Sequence, residues 1–98
     1  MKSKVFSDMY VTAPRKGDVV HLRVLQSDGG VVTNESATTI AELNCKPVAE
    51  VNQLIGVQDG AWMILHIGVD GVVSLYHAFH AGSLTWGLLD ASVAFLVD

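Results

Sequence analysis

Residues 61–80 read AWMILHIGVDGVVSLYHAFH, two apolar runs that meet at Asp70-Gly71. Asp-Gly between two strand-like runs is a strong hairpin signal, because glycine accepts the positive φ of a tight turn. The flanks hold Trp62, Ile64, Ile67, Val69, Val72, Val73, Tyr76 and Phe79, β-branched and aromatic types that fit a pleated surface. Trp62, Met63, Ile64 and Leu65 are consecutive, so both faces of this strand are apolar. That pattern suits strands covered on two sides, which places the hairpin in the middle of a sheet.

The turn admits two lengths. With two residues in the turn, Val69 faces Val72 and His66 faces Leu75. His66 and His77 then share a face as diagonal neighbours, roughly 7–8 Å apart at the backbone. With a three-residue loop ending in Gly71, Gly68 pairs with Val72 and His77 moves to the opposite face from His66.

Around this hairpin the composition is apolar. Hydrophobic residues make up 50% of the 98-residue chain and charged residues only 16%, below the usual quarter or so. A small domain has much surface to cover, so the excess apolar area points to burial against another copy or a partner, with a homodimer favoured. All six cations, Lys2, Lys4, Arg15, Lys16, Arg23 and Lys46, precede Pro47, and the net charge is −4. An extended phosphate-binding surface is therefore not expected, and nucleic acid is a poor partner. Cys45 is the single cysteine, which excludes an intramolecular disulfide and suits a reducing, cytoplasmic compartment. The first residues, MKSKVFSDMYVT, lack the continuous apolar core of a signal peptide. Gly71 to Leu89 is uncharged but carries Ser74, His77, His80, Ser83 and Thr85, so a buried sheet is expected there and not a membrane span.

Before the hairpin, Lys4–Thr12 has strand composition, and the run TAPRKGD, Thr12 to Asp18, reads as a turn in which Pro14 fixes φ and Gly17-Asp18 ends the loop. Asp18–Gln26 alternates Val20, Leu22, Val24 with His21, Arg23, Leu25, the pattern of a half-buried strand. Ser27-Asp28-Gly29-Gly30 reads as a second turn and Val31–Thr33 as a short returning strand, giving a three-stranded antiparallel meander. An echo between HLRVLQSDGGVV and ILHIGVDGVV is accounted for by shared turn chemistry without invoking a repeat.

Residues 34–56 read as helical. Thr39-Ile40-Ala41-Glu42 matches a capping box. Pro47 stops this short helix and opens a second, with Val48, Val51, Leu54 and Ile55 on one stripe and Gly56 as its end. Beyond the central hairpin, Ser83–Asp98 is read as two strands with a turn near Asp90. A helix through Leu84, Leu88, Ala91 and Phe95 is the alternative. The expected fold is thus α+β: one domain over 1–98, with a mainly antiparallel, curved sheet of about six or seven strands and a short helical pair inserted after the third.

The expected role is a small non-enzymatic binding module that self-associates. An apolar small-molecule cleft could be walled by Trp62, Tyr76 and Trp86, with His66 or His77 as its polar point. One rival is an enzyme or metal site at His66 and His77, although two imidazoles fall short of the three or four protein ligands usual for zinc. Hydrogen-bonded histidines at a sheet surface are the simpler reading, and Cys45 reads as structural. A second rival is a helix-turn-helix over residues 39–55, in which Glu50, Asn52 and Gln53 replace the usual basic residues. No nucleotide loop, nucleophile elbow, HExxH or EF-hand loop is present, and no cofactor is implied.

Overall fold

The computed structural model describes residues 9–26, 30–32, 38–56, 62–78, 84–86 and 89–97. The central hairpin is β7 (Trp62–Ile67) and β8 (Val72–Ala78). Gly68 N–H donates to the Val72 carbonyl at 3.0 Å, and Gly71 N–H donates to the Gly68 carbonyl at 2.9 Å. The loop is therefore the three residues Val69, Asp70 and Gly71, a turn closed by Gly71 in the left-handed region at φ 86°. The Asp70 carboxylate accepts the Val72 N–H at 3.1 Å and pins the loop's exit.

Burial explains the choice of register. Met63, Leu65 and Ile67 are fully buried. The observed pairing sets Leu65 against Leu75 and Ile67 against Val73, whereas a two-residue turn would set them against Tyr76 and Ser74. A one-residue slip moves every side chain to the other face, so the larger apolar burial decides.

Two four-stranded antiparallel sheets pack on one core. In the first, β3 (Val19–Gln26) is central. On one side it pairs with β1 (Met9–Thr12) and β2 (Arg15–Lys16), and on the other with β10 (Leu89–Leu96). β1 and β2 keep one register along β3 and form a single arm interrupted at Pro14, which has no N–H to give to the ladder. Gly17, at φ 62°, stands first in the two-residue turn back into β3. The second sheet has the order β5-β8-β7-β6, with β5 at Thr38–Glu42 and β6 at Val51–Gly56. It is a Greek key, because the chain leaves β5 by the long 43–50 connection and enters the consecutive strands β6, β7 and β8. That connection is held at both ends. Leu43 N–H donates to the Gly71 carbonyl at 2.8 Å, and Val48 N–H to the Leu96 carbonyl at 3.1 Å beside a Pro47–Val97 bridge.

Between the two sheets in chain order, the arms that carry β3 and β10 form a separate two-stranded sheet. Beyond the β3–β10 ladder, β4 (Gly30–Val32) pairs with β9 (Leu84–Trp86). Four steps along one arm, Gln26 to Gly30, match three along the other, Leu89 to Trp86. The same two arms then pair again as β5 and β8 in the second sheet. A bulge at Ile40 lets Ile40 and its neighbour Ala41 both face the core.

Several expectations are corrected. The fold is all-β with no helix among the described residues, not α+β. The helical pair after the third strand is replaced by β5, the irregular 43–50 connection and β6, and Pro47 sits in a β-bridge. Neither helix could be long: short helices are marginal without tertiary support, while Thr38, Thr39, Ile40 and Val51 suit ladders that nonlocal partners complete. A helix-turn-helix over residues 39–55 accordingly has no helix to rest on. The described strands number ten, not six or seven. The first three strands are not a meander, since β4 pairs with β9 and not with β3; the Ser27–Gly29 part of that turn lies outside the described residues. Residues 84–86 and 89–96 do form strands, but Asp90 lies within β10 and not at a turn.

Candidate functional site

In the second sheet, Met63, Leu65, Ile67, Val73 and Leu75 face the core, so the alternate positions form an outer face. Register lays this face out in rows. Leu54, Ile64 and Tyr76 stand side by side on β6, β7 and β8. The next row is polar: Asn52, His66, Ser74 and Thr39, one from each of the four strands.

The first row is an uncovered apolar strip. Leu54 is 47% exposed and Trp62, diagonal to both Leu54 and Tyr76, is 39% exposed. Ile64 and Tyr76 are half-buried beside them. Cross-strand and diagonal neighbours on one face are close enough to act as a single surface. The two apolar faces expected of the central hairpin are thus real, but only the inner one is covered within the chain.

In the polar row, both His66 ring nitrogens face an acceptor: Nδ1 lies 2.8 Å from Asn52 Oδ1 and Nε2 lies 3.4 Å from Glu50 Oε1. The short Asn52 contact orients the ring, and the Glu50 contact is an ion pair only when the imidazole is protonated. Beside it, where β7 turns into β8, a cleft of about 310 Å³ is lined by Glu50, His66, Gly68, Val69, Asp70, Val72 and Ser74. Among the described residues, no three His, Cys, Asp or Glu side chains converge as a metal-ligand set.

Of the five residues singled out from the sequence, Trp62, His66 and Tyr76 share this outer face. His77 pairs with Met63, on the alternate positions from the His66 row, so the three-residue loop separates the two histidines. Trp86 belongs to β9, which pairs with β4; the side chains of His77 and Trp86 lie outside what the structure describes. The residues missed from the sequence are Glu50, Asn52 and Ser74. Reading 47–56 as a helix hides the first two, because only a β6–β7 ladder brings Asn52 opposite His66.

Comparison with protein-family models, with curated proteins and with solved structures gives no match, so no function is carried over from a relative.

Proposed function

We propose that the chain is a small binding module that self-associates, a second copy covering the apolar strip on the outer face of the β5-β8-β7-β6 sheet. The observation that carries this reading is the strip Leu54, Ile64, Tyr76 with Trp62 beside it, left open on a sheet whose other face places Met63, Leu65, Ile67, Val73 and Leu75 in the core. Contiguous exposed apolar surface of this kind marks interaction sites, and aromatic anchors such as Trp and Tyr dominate interface energies. A two-fold dimer presents the same strip from both partners, which gives self-complementarity without a second surface. The charged residues of this face, Glu42 and Glu50, stand at the turn end away from the strip, as a polar rim would. Half the sequence being hydrophobic and only 16% charged supports the same conclusion.

Sedimentation velocity on the wild-type chain and on the Leu54→Ser/Trp62→Ser variant tests it. The wild type sediments as a dimer in the micromolar range, and the variant as a monomer at about 100 µM. A wild type that stays monomeric at that concentration, or a dimer indifferent to both substitutions, overturns the reading.

A further inference from the structure

At the turn end of the same face the chemistry changes. Ser74 is only 4% exposed, yet its hydroxyl has no hydrogen-bond partner among the described residues. A buried hydroxyl is normally paired, and an orphan calls for an explanation. Ser74 is the direct cross-strand neighbour of His66, on the outward positions of β8, and it lines the 310 Å³ cleft. A residue with a buried hydroxyl that has no partner among the described residues therefore forms part of the cleft wall.

The remaining lining sets the charge of a ligand. Glu50 and Asp70 contribute carboxylates, and no Lys or Arg is among the lining residues. From Pro47 onward the chain contains neither. An anion would meet two like charges. A divalent ion such as calcium takes six to eight oxygen ligands, more than two carboxylates and a hydroxyl supply. A primary ammonium carries three donors and no acceptor, which matches three acceptor groups, Glu50, Asp70 and Ser74. The rest of the wall is His66, whose ring lies against Asn52 and Glu50, and Val69, Val72 and Gly68; these last give apolar surface along which a methylene stem can lie while its charged end is solvated or paired.

We propose that this cleft binds a primary alkylammonium group. That group is carried equally by a free aliphatic diamine and by a lysine side chain of a partner. The site lies beyond the apolar strip and does not depend on self-association.

Amide-resolved NMR titration of the full chain tests it, with 1,5-diaminopentane as the probe and pentan-1-ol and calcium chloride as controls. Saturable shifts confined to Glu50 and the Gly68–Ser74 segment are expected with the diamine and absent with the alcohol. The Glu50→Gln/Asp70→Asn variant keeps an oxygen to accept the Val72 N–H but loses both charges. It should bind the diamine roughly fivefold more weakly or worse. Leu54→Ser/Trp62→Ser should bind it as the wild type does, which separates this site from the dimer. A doubly blocked lysine that matches or exceeds the diamine assigns the site to a partner's lysine; a weaker response assigns it to free diamines. An unsaturable or absent response, an equal response to pentan-1-ol, tighter binding of calcium at the same residues, or an unchanged double variant overturns the proposal.

Discussion

Gly71 lies against the Cys45 carbonyl so closely that an added Cβ would come within 2.8 Å of that oxygen, and within 3.0 Å of the Leu43 carbonyl. The central turn and the 43–50 connection are thus packed backbone to backbone, and the contact is sealed by the Leu43 N–H bond to Gly71. Gly71→Ala meets two penalties there, the left-handed φ and the clash with carbonyls that cannot swing away. Together they should cost about 2–4 kcal/mol. Gly17 has a comparable positive φ, but a Cβ added there would meet nothing within 4 Å. Gly17→Ala should therefore cost only about 1 kcal/mol. Urea denaturation of the two variants separates the effects, and equal losses would show that the close approach at Gly71 contributes nothing.

The same turn shows what is legible in the sequence. Asp70-Gly71 locates the hairpin, and alternation locates β3. Turn length is not legible there, because Asp70-Gly71 suits both loops; the fold decides it, since only the three-residue loop sets Val73 and Leu75 beside Ile67 and Leu65. The helical pair misleads because its signals are local. Thr39 to Glu42 does resemble a capping box, and Pro47 does suit a helix start. The partners that win, Leu75 for Thr38 and His66 for Asn52, lie far away in the chain. The same blindness joins β4 to β3, since nothing near Gly30 announces Trp86 as its partner. His66 stands out in the sequence, but the Glu50 and Asn52 that face it are concealed by the helix assignment.

The two faces of the second sheet should respond differently to truncation. Leu65 is fully buried between Leu75 and Gln53 on its neighbouring strands, whereas Leu54 is 47% exposed. Leu65→Ala removes buried apolar area and leaves a cavity, and should lower unfolding free energy by about 2–5 kcal/mol. Leu54→Ala should change it by no more than about 0.5 kcal/mol. Both are read by denaturation at concentrations low enough for the monomer, since self-association would add to apparent stability. A large loss for Leu54→Ala under those conditions would mean that the strip is already covered within one chain.

On the first sheet, Arg23 grips Asp90 across the β3–β10 ladder through two hydrogen bonds, Nε to Oδ1 at 2.9 Å and Nη2 to Oδ2 at 2.8 Å. These bonds, with the guanidinium charge, hold the Asp90 carboxyl below its ordinary range. A carboxyl depressed on folding contributes stability above its unfolded titration range and loses it as pH falls through the folded value. Asp90→Asn should therefore be slightly less stable than the wild type at neutral pH and indistinguishable from it near about pH 2. Both side chains are about half exposed, so the neutral-pH difference should be small and shrink further in high salt. Paired urea curves at the two pH values check this. A difference that persists in acid would assign the effect to packing and not to the ion pair.

Ser74 offers the reverse case, a residue whose removal should help the fold. Its hydroxyl is buried and unpaired among the described residues, and a buried polar group without a partner costs free energy that an apolar replacement does not incur. Ser74→Ala deletes one oxygen, leaves the β8 backbone ladder to β5 and β7 intact, and opens little extra volume beside a cleft that already exists. Thermal and urea unfolding should show stability unchanged or raised by up to about 1 kcal/mol. The same variant should bind 1,5-diaminopentane more weakly, because one of the three acceptors is gone. Stability gained where binding is lost is the usual mark of a group kept for function. A destabilisation beyond about 1 kcal/mol would mean that the hydroxyl holds the sheet together, and the reading of Ser74 as an open acceptor would fall with it.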